Sequence, residues 1–352
     1  MNKKTVGIAL SGGVDSTMAA SLLLEEGWPV VGFFMELAQP GLDHDRLRAR
    51  RIAARLGIEL HCIDLRAGFQ KRVLDYLRNH YRRGLTPNPC LVCNREIKFG
   101  LLRRAMNEAG VTLMATGHYA NIRQGDAPRL FRGADKKKDQ SYFLAGLARE
   151  QLEKLMFPLG NYQKQDVFAM AKARGFTDFP GESQDACFLS GLTVGDFLAR
   201  ECGEECGKTK GRILTTAGEE IGRHRGLFRY TVGQRRGLGL PVALPDQAPW
   251  YVVRLDAKEN AVIVGKDEEL LQQTLATGPA RWLNPPPDFT GLFTVRIRAG
   301  HPGAPATLSP DGKGGLAICF TERQRAIAPG QFAVIYRDDE VLGAAVITGN
   351  GK

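Results

Sequence analysis

Short apolar runs alternate with longer amphipathic stretches along the first third of the chain. Apolar runs of strand length occupy residues 5–10, 29–35, 59–65 and 113–116. Between them, apolar residues recur at helical spacing in 17–26, in 42–56, and at Phe69, Val73, Leu77 and Tyr81. Strands that alternate with helices predict an α/β fold, a doubly wound parallel sheet with its ligand at the carboxyl ends of the strands.

The last third shows a different pattern, in which glycine and proline separate short β-type runs. These runs lie at 212–214, 229–232, 250–255, 261–264, 293–298, 316–320 and 332–336. They predict one or two small β-barrel-like units that join at Pro285, Pro286 and Pro287. Residues 162–176 have helical spacing that ends at Gly175, which indicates a small helical domain between the two halves. We therefore expect domains at 1–149, 150–206, 207–282 and 283–352.

Composition narrows the class of protein. The chain of 352 residues carries a formal net charge of +10, which suits a polyanionic partner such as nucleic acid. Neither a membrane-spanning run nor a signal-peptide pattern is present, so we expect a cytoplasmic protein with no membrane association. The seven cysteines, an odd number, favour catalytic, redox or metal-binding roles over a disulfide framework. We expect Cys202 and Cys206, spaced as CxxxC, to be a surface or incidental pair.

The first apolar run ends in a glycine-rich segment that leads into the first predicted helix. Such a turn makes an anion site, because the free N–H groups of the first helical turn point toward it. Gly12 and Gly13 let the backbone approach a phosphate closely, and Asp15 suits a Mg²⁺ ion bound to that phosphate. No Lys-Ser/Thr pair follows the glycines, which excludes the P-loop of ordinary kinases and GTPases. A helix N-cap with a tight turn is the alternative interpretation.

Two residues at other strand ends extend this edge of the predicted sheet. Met35 ends the second apolar run, and Gly117 directly follows the fourth. Met35 would pack against an adenine ring, with core packing as the alternative that spacing alone favours. Gly117 would let a nucleotide lie against the backbone.

A Cys-x-x-Cys pair, Cys90 and Cys93, lies between the third and fourth runs. The prolines before it, including Pro89, predict a stiff loop that runs into a helix beginning at Arg95. A helix N-terminus with Arg95 and Lys98 close by should lower the pKa of these thiols. The alternatives are two buried structural cysteines or half of a zinc site, which a single Cys-x-x-Cys supports poorly.

Motifs along nearly the whole chain resemble those of one family. The glycine-rich loop resembles the SGGxDS pyrophosphate loop (PP-loop) of ATP pyrophosphatases, and the complete set is similar to the tRNA-specific 2-thiouridylases. The matching motifs are SGGVDS (11–16), TPNPCLVCNREIKFG (86–100), ATGHYA (115–120), KDQSYFL (138–144), FPLG (157–160), ESQDACF (182–188), YTVGQRRGL (230–238) and APGQFAV (328–334).

The resemblance implies an enzyme that uses ATP and Mg²⁺ to replace O2 of a tRNA wobble uridine with sulfur. The uridine O2 would attack the α-phosphate of ATP, giving an adenylated base and pyrophosphate, and Asp15 would hold Mg²⁺ through the phosphates. The implied ATP-binding residues are Ala9, Leu10, Ser11, Gly12, Gly13, Val14, Asp15, Ser16, Met35 and Gly117.

The resemblance also implies roles for three cysteines. Cys187, in the helical domain, would carry a persulfide received from a sulfur-relay protein or a cysteine desulfurase. Cys93 would attack this persulfide as its sulfur passes to C2 of the base, leaving a Cys93–Cys187 disulfide to be reduced. With Cys90 as a third thiol, a [4Fe–4S] cluster on Cys90, Cys93 and Cys187 is the alternative.

A tRNA anticodon loop is the implied macromolecular partner, with the target base turned into a pocket. The implied tRNA contacts are Asn88, Pro89, Cys90, His118, Lys138, Asp139, Gln140, Arg296 and Gln331. The family's Arg-Tyr pair is incomplete here, because Arg296 is followed by Ile297 and Arg298.

Other functions remain open at this point. Another pyrophosphate-loop enzyme is one alternative, either an amidating synthetase or a different RNA thiolase. A tRNA-binding protein that has lost catalysis is another. An amidating synthetase has no use for the Cys93 and Cys187 pair, and the presence of Asp15 with both cysteines argues against lost catalysis.

Overall fold

A computed structural model describes the chain at residues 3–39, 41–179, 186–189, 191–201, 210–240, 248–286 and 288–349. The strands are β1 (Val6–Ala9), β2 (Val30–Glu36), β3 (Leu60–Asp64), β4 (Leu113–Ala115), β5 (Ala120–Arg123), β6 (Arg129–Arg132), β7 (Leu155–Met156), β8 (Gly211–Thr215), β9 (Glu220–His224), β10 (Tyr251–Asp256), β11 (Ala261–Gly265), β12 (Leu271–Thr277), β13 (Arg281–Trp282), β14 (Phe293–Arg296), β15 (Ala304–Pro310), β16 (Leu316–Arg325), β17 (Phe332–Arg337) and β18 (Glu340–Gly349). Cys202, Cys206 and Pro287 lie outside the described residues, as does much of the ESQDACF motif.

The helices lie mainly in the first two thirds of the chain. They are α1 (Val14–Glu25), α2 (Leu42–Leu56), α3 (Arg66–Phe69), α4 (Asp75–Arg82), α5 (Pro89–Cys93), α6 (Arg103–Glu108), α7 (Ser141–Leu144), α8 (Arg149–Leu152), α9 (Lys164–Ala173) and α10 (Val194–Glu201). Two π-helical segments, Gln70–Leu74 and Asn94–Leu102, join α3 to α4 and α5 to α6. Short 3₁₀ turns occur at Leu227–Arg229 and Asp267–Leu270.

A five-stranded parallel sheet in the order β3-β2-β1-β4-β7 organises the first half of the chain. Its strands are apolar because helices cover both faces. Helices α1, α2 and α9 contribute to the core on one face, and the helices between residues 66 and 108 to the core on the other. The strand order reverses between β1 and β4, which opens a crevice at their carboxyl ends. The predicted doubly wound α/β sheet is confirmed.

The sheet extends past the domain boundary expected after residue 149. Strand β7 pairs with β4, and helix α9 packs against α1. The segment expected to be a separate helical domain therefore supplies both a strand and a covering helix to the parallel sheet. The fourfold division of the chain stays a prediction.

The end of the chain forms an antiparallel barrel. Strands β12, β16, β15, β14, β17 and β18 pair in that order, and β12 pairs back to β18, which closes the barrel without open edges. Strand β12 enters this barrel ahead of Pro285 and Pro286, so the barrel begins before the prolines expected to mark the join. The predicted β-barrel-like C-terminal unit is confirmed.

The hairpin of β5 and β6 connects the two ends of the molecule. It leaves the parallel sheet after β4, and β6 pairs with β18 through Val341 opposite Leu130. Local sequence patterns do not predict this hairpin, because its four-residue strands carry a weak period-two signal. The first domain and the barrel consequently share one sheet of main-chain hydrogen bonds.

A smaller sheet lies between these units, in the order β10-β11-β8-β9. The expected strand at 229–232 is wrong. Gly226, at φ +112, starts a 3₁₀ turn, and Thr231 and Gln234 then close a further turn by accepting each other's hydrogen bonds. Tyr230 is buried in the core of this sheet, which explains the apolar pattern without a strand.

Among the described residues, no helix combines the length and the apolar character needed to cross a lipid bilayer.

Candidate active site

The glycine-rich loop connects β1 to α1 at the crevice where the strand order reverses. Gly13 is the N-cap of α1 and has no side chain to satisfy the first amides of the helix. The hydroxyls of Ser16 and Thr17 donate instead to the Gly13 carbonyl oxygen, at 3.0 and 2.9 Å. The start of α1 therefore has no side-chain cap on its amides, an arrangement that suits a phosphate group.

Helix α2 supports the loop from behind. Arg48 Nε donates to the Gly12 carbonyl oxygen at 3.1 Å, and its guanidinium also binds Asp45 at 2.6 Å. Gly12 has a φ of +83, and a Cβ there would lie 3.2 Å from the Ala49 nitrogen. Both the left-handed backbone and the close approach to α2 require glycine at this position.

The Asp15 carboxylate is held by two groups that the sequence analysis missed. Lys164 Nζ lies 2.6 Å from Oδ1 and 2.8 Å from Oδ2, and the Tyr119 hydroxyl donates to Oδ1 at 2.8 Å. Lys164 is the first residue of α9, where a cation opposes the helix dipole. That unfavourable position is the one signal in the sequence that would have singled it out.

Gly117 is required by backbone packing. A Cβ on Gly117 would lie 2.7 Å from the Asp15 carbonyl carbon and 2.9 Å from the Ser16 nitrogen. The chain after β4 is therefore pressed against the glycine-rich loop itself. Met35 lies near the end of β2, half-buried against the main core, at the same edge of the sheet. Adenine binding by Met35 and nucleotide binding by Gly117 stay predictions.

Cys90 and Cys93 lie on helix α5, not on the expected stiff loop. Pro89 occupies the first helical turn, where its missing N–H is no loss, and Asn88 caps the helix by accepting from Leu91 N at 3.2 Å. The barrel supports this start of the helix, since Gln331 Nε2 donates to the Thr86 carbonyl oxygen at 3.2 Å.

The expected lowering of the thiol pKa values is wrong. Burial raises the pKa of Cys90 to about 11 and that of Cys93 to about 12. Lys98 opposes this shift for both thiols, but it does not overcome burial. Arg95, the other basic residue expected to help, binds Glu96 at 2.7 Å. Both thiols are therefore neutral in this structure at neutral pH.

Cys187, which follows α9 in the chain, lies near Cys90 and Cys93. Phe188 packs against Phe69 and Phe197, with ring centroids 5.9 and 4.9 Å apart. Phe188 belongs to the same hydrophobic core as Leu91 of α5, and Cys93 packs against that core. Cys187 itself is exposed, and its ionised form would raise the pKa values of Cys90 and Cys93, so the three sulfurs lie within electrostatic range of one another.

The described cysteines are all free thiols, so the Cys93–Cys187 disulfide implied for one reaction stage is not formed here. Within the described ranges, no group of three His, Cys, Asp or Glu side chains is arranged to hold a metal ion. The three cysteines thus do not form a ligand set in this conformation, and the iron–sulfur alternative stays a prediction.

His118 connects the two parts of the site. Its Nδ1 lies 2.6 Å from the Thr116 hydroxyl, and its Nε2 lies 3.5 Å from Lys98 Nζ. Burial and the Lys98 charge hold the pKa of His118 well below its usual value, so the ring is neutral. Lys98 also lowers the pKa values of the thiols, and Gly117 next to His118 touches Asp15. The cysteine helix and the glycine-rich loop therefore face one crevice.

The predicted tRNA-binding residues fall into two groups. Asp139 and Arg296 form an ion pair at 2.9 Å whose side chains are 4% and 12% exposed. This pair joins the first domain to the barrel, so both side chains already have a structural partner. Gln140 Oε1 accepts from Tyr119 N at 3.0 Å, and Lys138 lies on a half-exposed turn that Asp135 holds. RNA contact by these residues stays a prediction.

The fold and the site define a class: a doubly wound α/β domain with a glycine-rich loop at its switch point, joined to two β units. The tRNA methyl transferase HUP domain model matches residues 4–191, its PRC-barrel domain model 195–266, and the aminomethyltransferase β-barrel domain model 272–347.

Similar curated proteins name the family more closely. The tRNA-specific 2-thiouridylase MnmA of Desulfotalea psychrophila is 47% identical over 99% of this chain and 100% of its own length. The proteins of the same name from Syntrophotalea carbinolica and Geobacter metallireducens are 41% and 40% identical, each over 98% of this chain and 98% and 97% of their own lengths. The chain belongs to the tRNA-specific 2-thiouridylase family.

Proposed function

We propose that this protein is an ATP-dependent tRNA-uridine 2-sulfurtransferase that forms 2-thiouridine at the wobble position. The observation that carries the proposal is that Cys93 and Cys187 lie in the same part of the structure as the glycine-rich loop. Cys93 and the Cys187 turn share one hydrophobic core, and Lys98, His118 and Gly117 connect that core to Asp15.

The adenylation half uses the glycine-rich loop. The open amides of α1 bind phosphate oxygens of ATP, and the crevice beside β1 and β4 takes the nucleotide. Asp15 fits a Mg²⁺ ion, because a carboxylate beside phosphates is the usual protein contribution to such a site. When bound, the metal neutralises phosphate charge. The uridine O2 attacks the α-phosphorus, the bond to the β-phosphate oxygen breaks, and pyrophosphate leaves.

The sulfur half uses the two cysteines. A sulfur-relay protein or a cysteine desulfurase converts the exposed Cys187 thiol to a persulfide. The outer sulfur attacks C2 of the adenylated base, and AMP leaves with the former O2. Cys93 then attacks the inner sulfur of Cys187, so the outer sulfur stays on the base with the electron pair of the broken S–S bond. A two-electron thiol reductant restores both cysteines from the resulting disulfide.

Because the pKa values of the thiols are raised, the reaction must include a step that removes the proton of Cys93. The Cys93 thiolate is the nucleophile, yet burial keeps Cys93 neutral in this structure. Lys98 is the positive charge that lowers the pKa values of Cys90, Cys93 and Cys187 alike. We infer that Lys98 stabilises the Cys93 thiolate when a base, or the bound substrate, removes the proton.

The net positive charge suits a tRNA substrate. The turn at Lys136, Lys137 and Lys138 lies beside Gln140, so RNA phosphates bound there would be close to Tyr119 and Asp15. A cytoplasmic location is part of the proposal, because free reactive thiols persist in a reducing compartment.

The test is thiolation of tRNA by the purified protein. Incubation with tRNA, ATP, Mg²⁺ and a persulfide donor should produce a tRNA band that is retarded on a mercury-affinity gel. The retarded band should disappear for Cys187→Ser and for Cys93→Ser. The matched control is Cys319→Ser, an exposed barrel cysteine, which should leave the band unchanged.

Retardation that survives Cys187→Ser would contradict the assigned persulfide role. Stoichiometric iron after anaerobic purification, lost together with activity in Cys90→Ser, would support the cluster alternative on the same three cysteines.

A further inference from the structure

The Lys164 ammonium lies against Asp15 of the glycine-rich loop, and Lys164 comes from a distant part of the chain. Its ammonium bridges both oxygens of Asp15, 149 residues away in sequence. The Lys164 side chain is 10% exposed, whereas that of Asp15 is 33% exposed. Lysine is rarely buried to this degree unless it is paired, and the ion pair with Asp15 contributes to that pairing.

The main chain of Lys164 is fixed independently of its side chain. Asp135 Oδ2 accepts from Lys164 N at 2.9 Å, which satisfies the start of α9. Helix α9 in turn packs against α1. The backbone therefore stays in place if the ammonium leaves Asp15, and rotation of the side chain is enough to redirect it.

The Asp15 carboxylate cannot serve Lys164 and a metal ion in the same way at once. Oδ1 accepts from both Lys164 and Tyr119, and Oδ2 accepts from Lys164. A Mg²⁺ ion that takes one of these oxygens displaces the ammonium from it. Phosphates held by the loop then lie beside the displaced ammonium and are anionic acceptors for it.

We propose that Lys164 is a nucleotide-binding residue: it neutralises Asp15 in the nucleotide-free protein and transfers to the phosphate oxygens of ATP when Mg²⁺ binds Asp15. The inference rests on the proposed binding of ATP at this loop. It adds a residue from α9 to a site that the sequence motif confines to residues 9–16, Met35 and Gly117. No bond is made or broken in this exchange, which moves one ammonium between two anions.

The test measures binding of a non-hydrolysable ATP analogue with Mg²⁺ by titration calorimetry, together with the melting temperature of the nucleotide-free protein. Lys164→Gln should weaken binding of the analogue about tenfold, the usual loss for one charge-assisted hydrogen bond. Lys164→Arg should retain most of the affinity because it keeps the charge. The matched control is Lys172→Gln, an exposed lysine of the same helix, which should change neither quantity.

A lower melting temperature of Lys164→Gln with unchanged affinity for the analogue would overturn the inference and leave Lys164 a structural ion-pair partner. The variant should fold, because Asp15 is one-third exposed and keeps the Tyr119 hydroxyl. Failure of the unaltered protein to bind the analogue would instead contradict the proposed function, and this inference with it.

Discussion

The nucleotide half and the sulfur half of the site differ in the charge state of their reactive groups. In the nucleotide half, the carboxylate of Asp15 faces the ammonium of Lys164, and open amides surround a crevice. In the sulfur half, burial raises the pKa values of Cys90 and Cys93, so the groups that must react as anions are neutral. The nucleotide half can bind phosphate without a proton transfer, whereas the thiols of the sulfur half must lose a proton before they react.

This contrast in charge state sets the order of the steps in the proposed reaction. Backbone amides and an ion pair cost no proton transfer, so phosphate binding needs only side-chain movement. A neutral thiol resists oxidation and wasteful alkylation, since the thiolate is the reactive form. Sulfur transfer therefore waits for a change at Cys93, and Lys98 is the charge positioned to favour it.

The largest expected effect concerns the protonation of Cys93. A pKa of about 12 in place of 9.0 leaves about a thousandth as much thiolate, so alkylation at neutral pH should be about a thousandfold slower than in the unfolded chain. Because the pKa is raised, the rate in the folded protein should keep increasing as pH rises beyond 9. Peptide mass spectrometry after timed iodoacetamide treatment measures this. Equal rates in folded and unfolded protein would remove the contrast between the halves.

A substitution at Gly117 should affect the nucleotide half. In Gly117→Ala the new Cβ meets the Asp15 backbone at 2.7 Å, so we expect a loss of about 1–3 kcal/mol in unfolding free energy. Binding of the ATP analogue should weaken, because the loop moves. Gly125→Ala is the control, since its Cβ would meet nothing within 4 Å. Unchanged nucleotide binding in Gly117→Ala would show that this contact does not position the loop.

A substitution at Gly330 should affect the sulfur half. Gly330 has a φ of +95, and a Cβ there would lie 2.9 Å from Thr86 N, beside the cap of the cysteine helix. We expect Gly330→Ala to slow tRNA thiolation while binding of the ATP analogue stays unchanged. Gly312→Ala shares the left-handed backbone, at φ +74, but its Cβ meets nothing within 4 Å. An equal loss of thiolation in Gly330→Ala and Gly312→Ala would mean that strain in the left-handed backbone, and not the contact with Thr86, causes the loss.

The smallest expected effect is that of Lys98. Replacing it by glutamine removes the positive charge that lowers the pKa of Cys93, so alkylation at pH 9 should slow by about threefold. Lys71→Gln, an exposed lysine of the preceding π-helical segment, is the matched control. Faster alkylation in Lys98→Gln would contradict the proposed role of this charge.

Local sequence patterns predicted the frame of the site well. The helix expected at 42–56 is α2, and the four apolar runs are β1, β2, β3 and β4. Local patterns place Cys90 and Cys93 on a loop, because proline usually breaks a helix. Pro89 is tolerated here because it lies in the first helical turn. The hairpin of β5 and β6 was missed, because it depends on pairing with β18, whose Val341 lies 211 positions after Leu130.

The glycine-rich loop, the Cys-x-x-Cys spacing and the family follow from the amino-acid sequence alone, since they depend on short runs of residues. The protonation of the thiols and the partner of Asp15 follow only from the folded chain. Both are governed by desolvation and by charges from distant segments, so they exist only once the chain has closed around Cys93 and brought Lys164 to the loop.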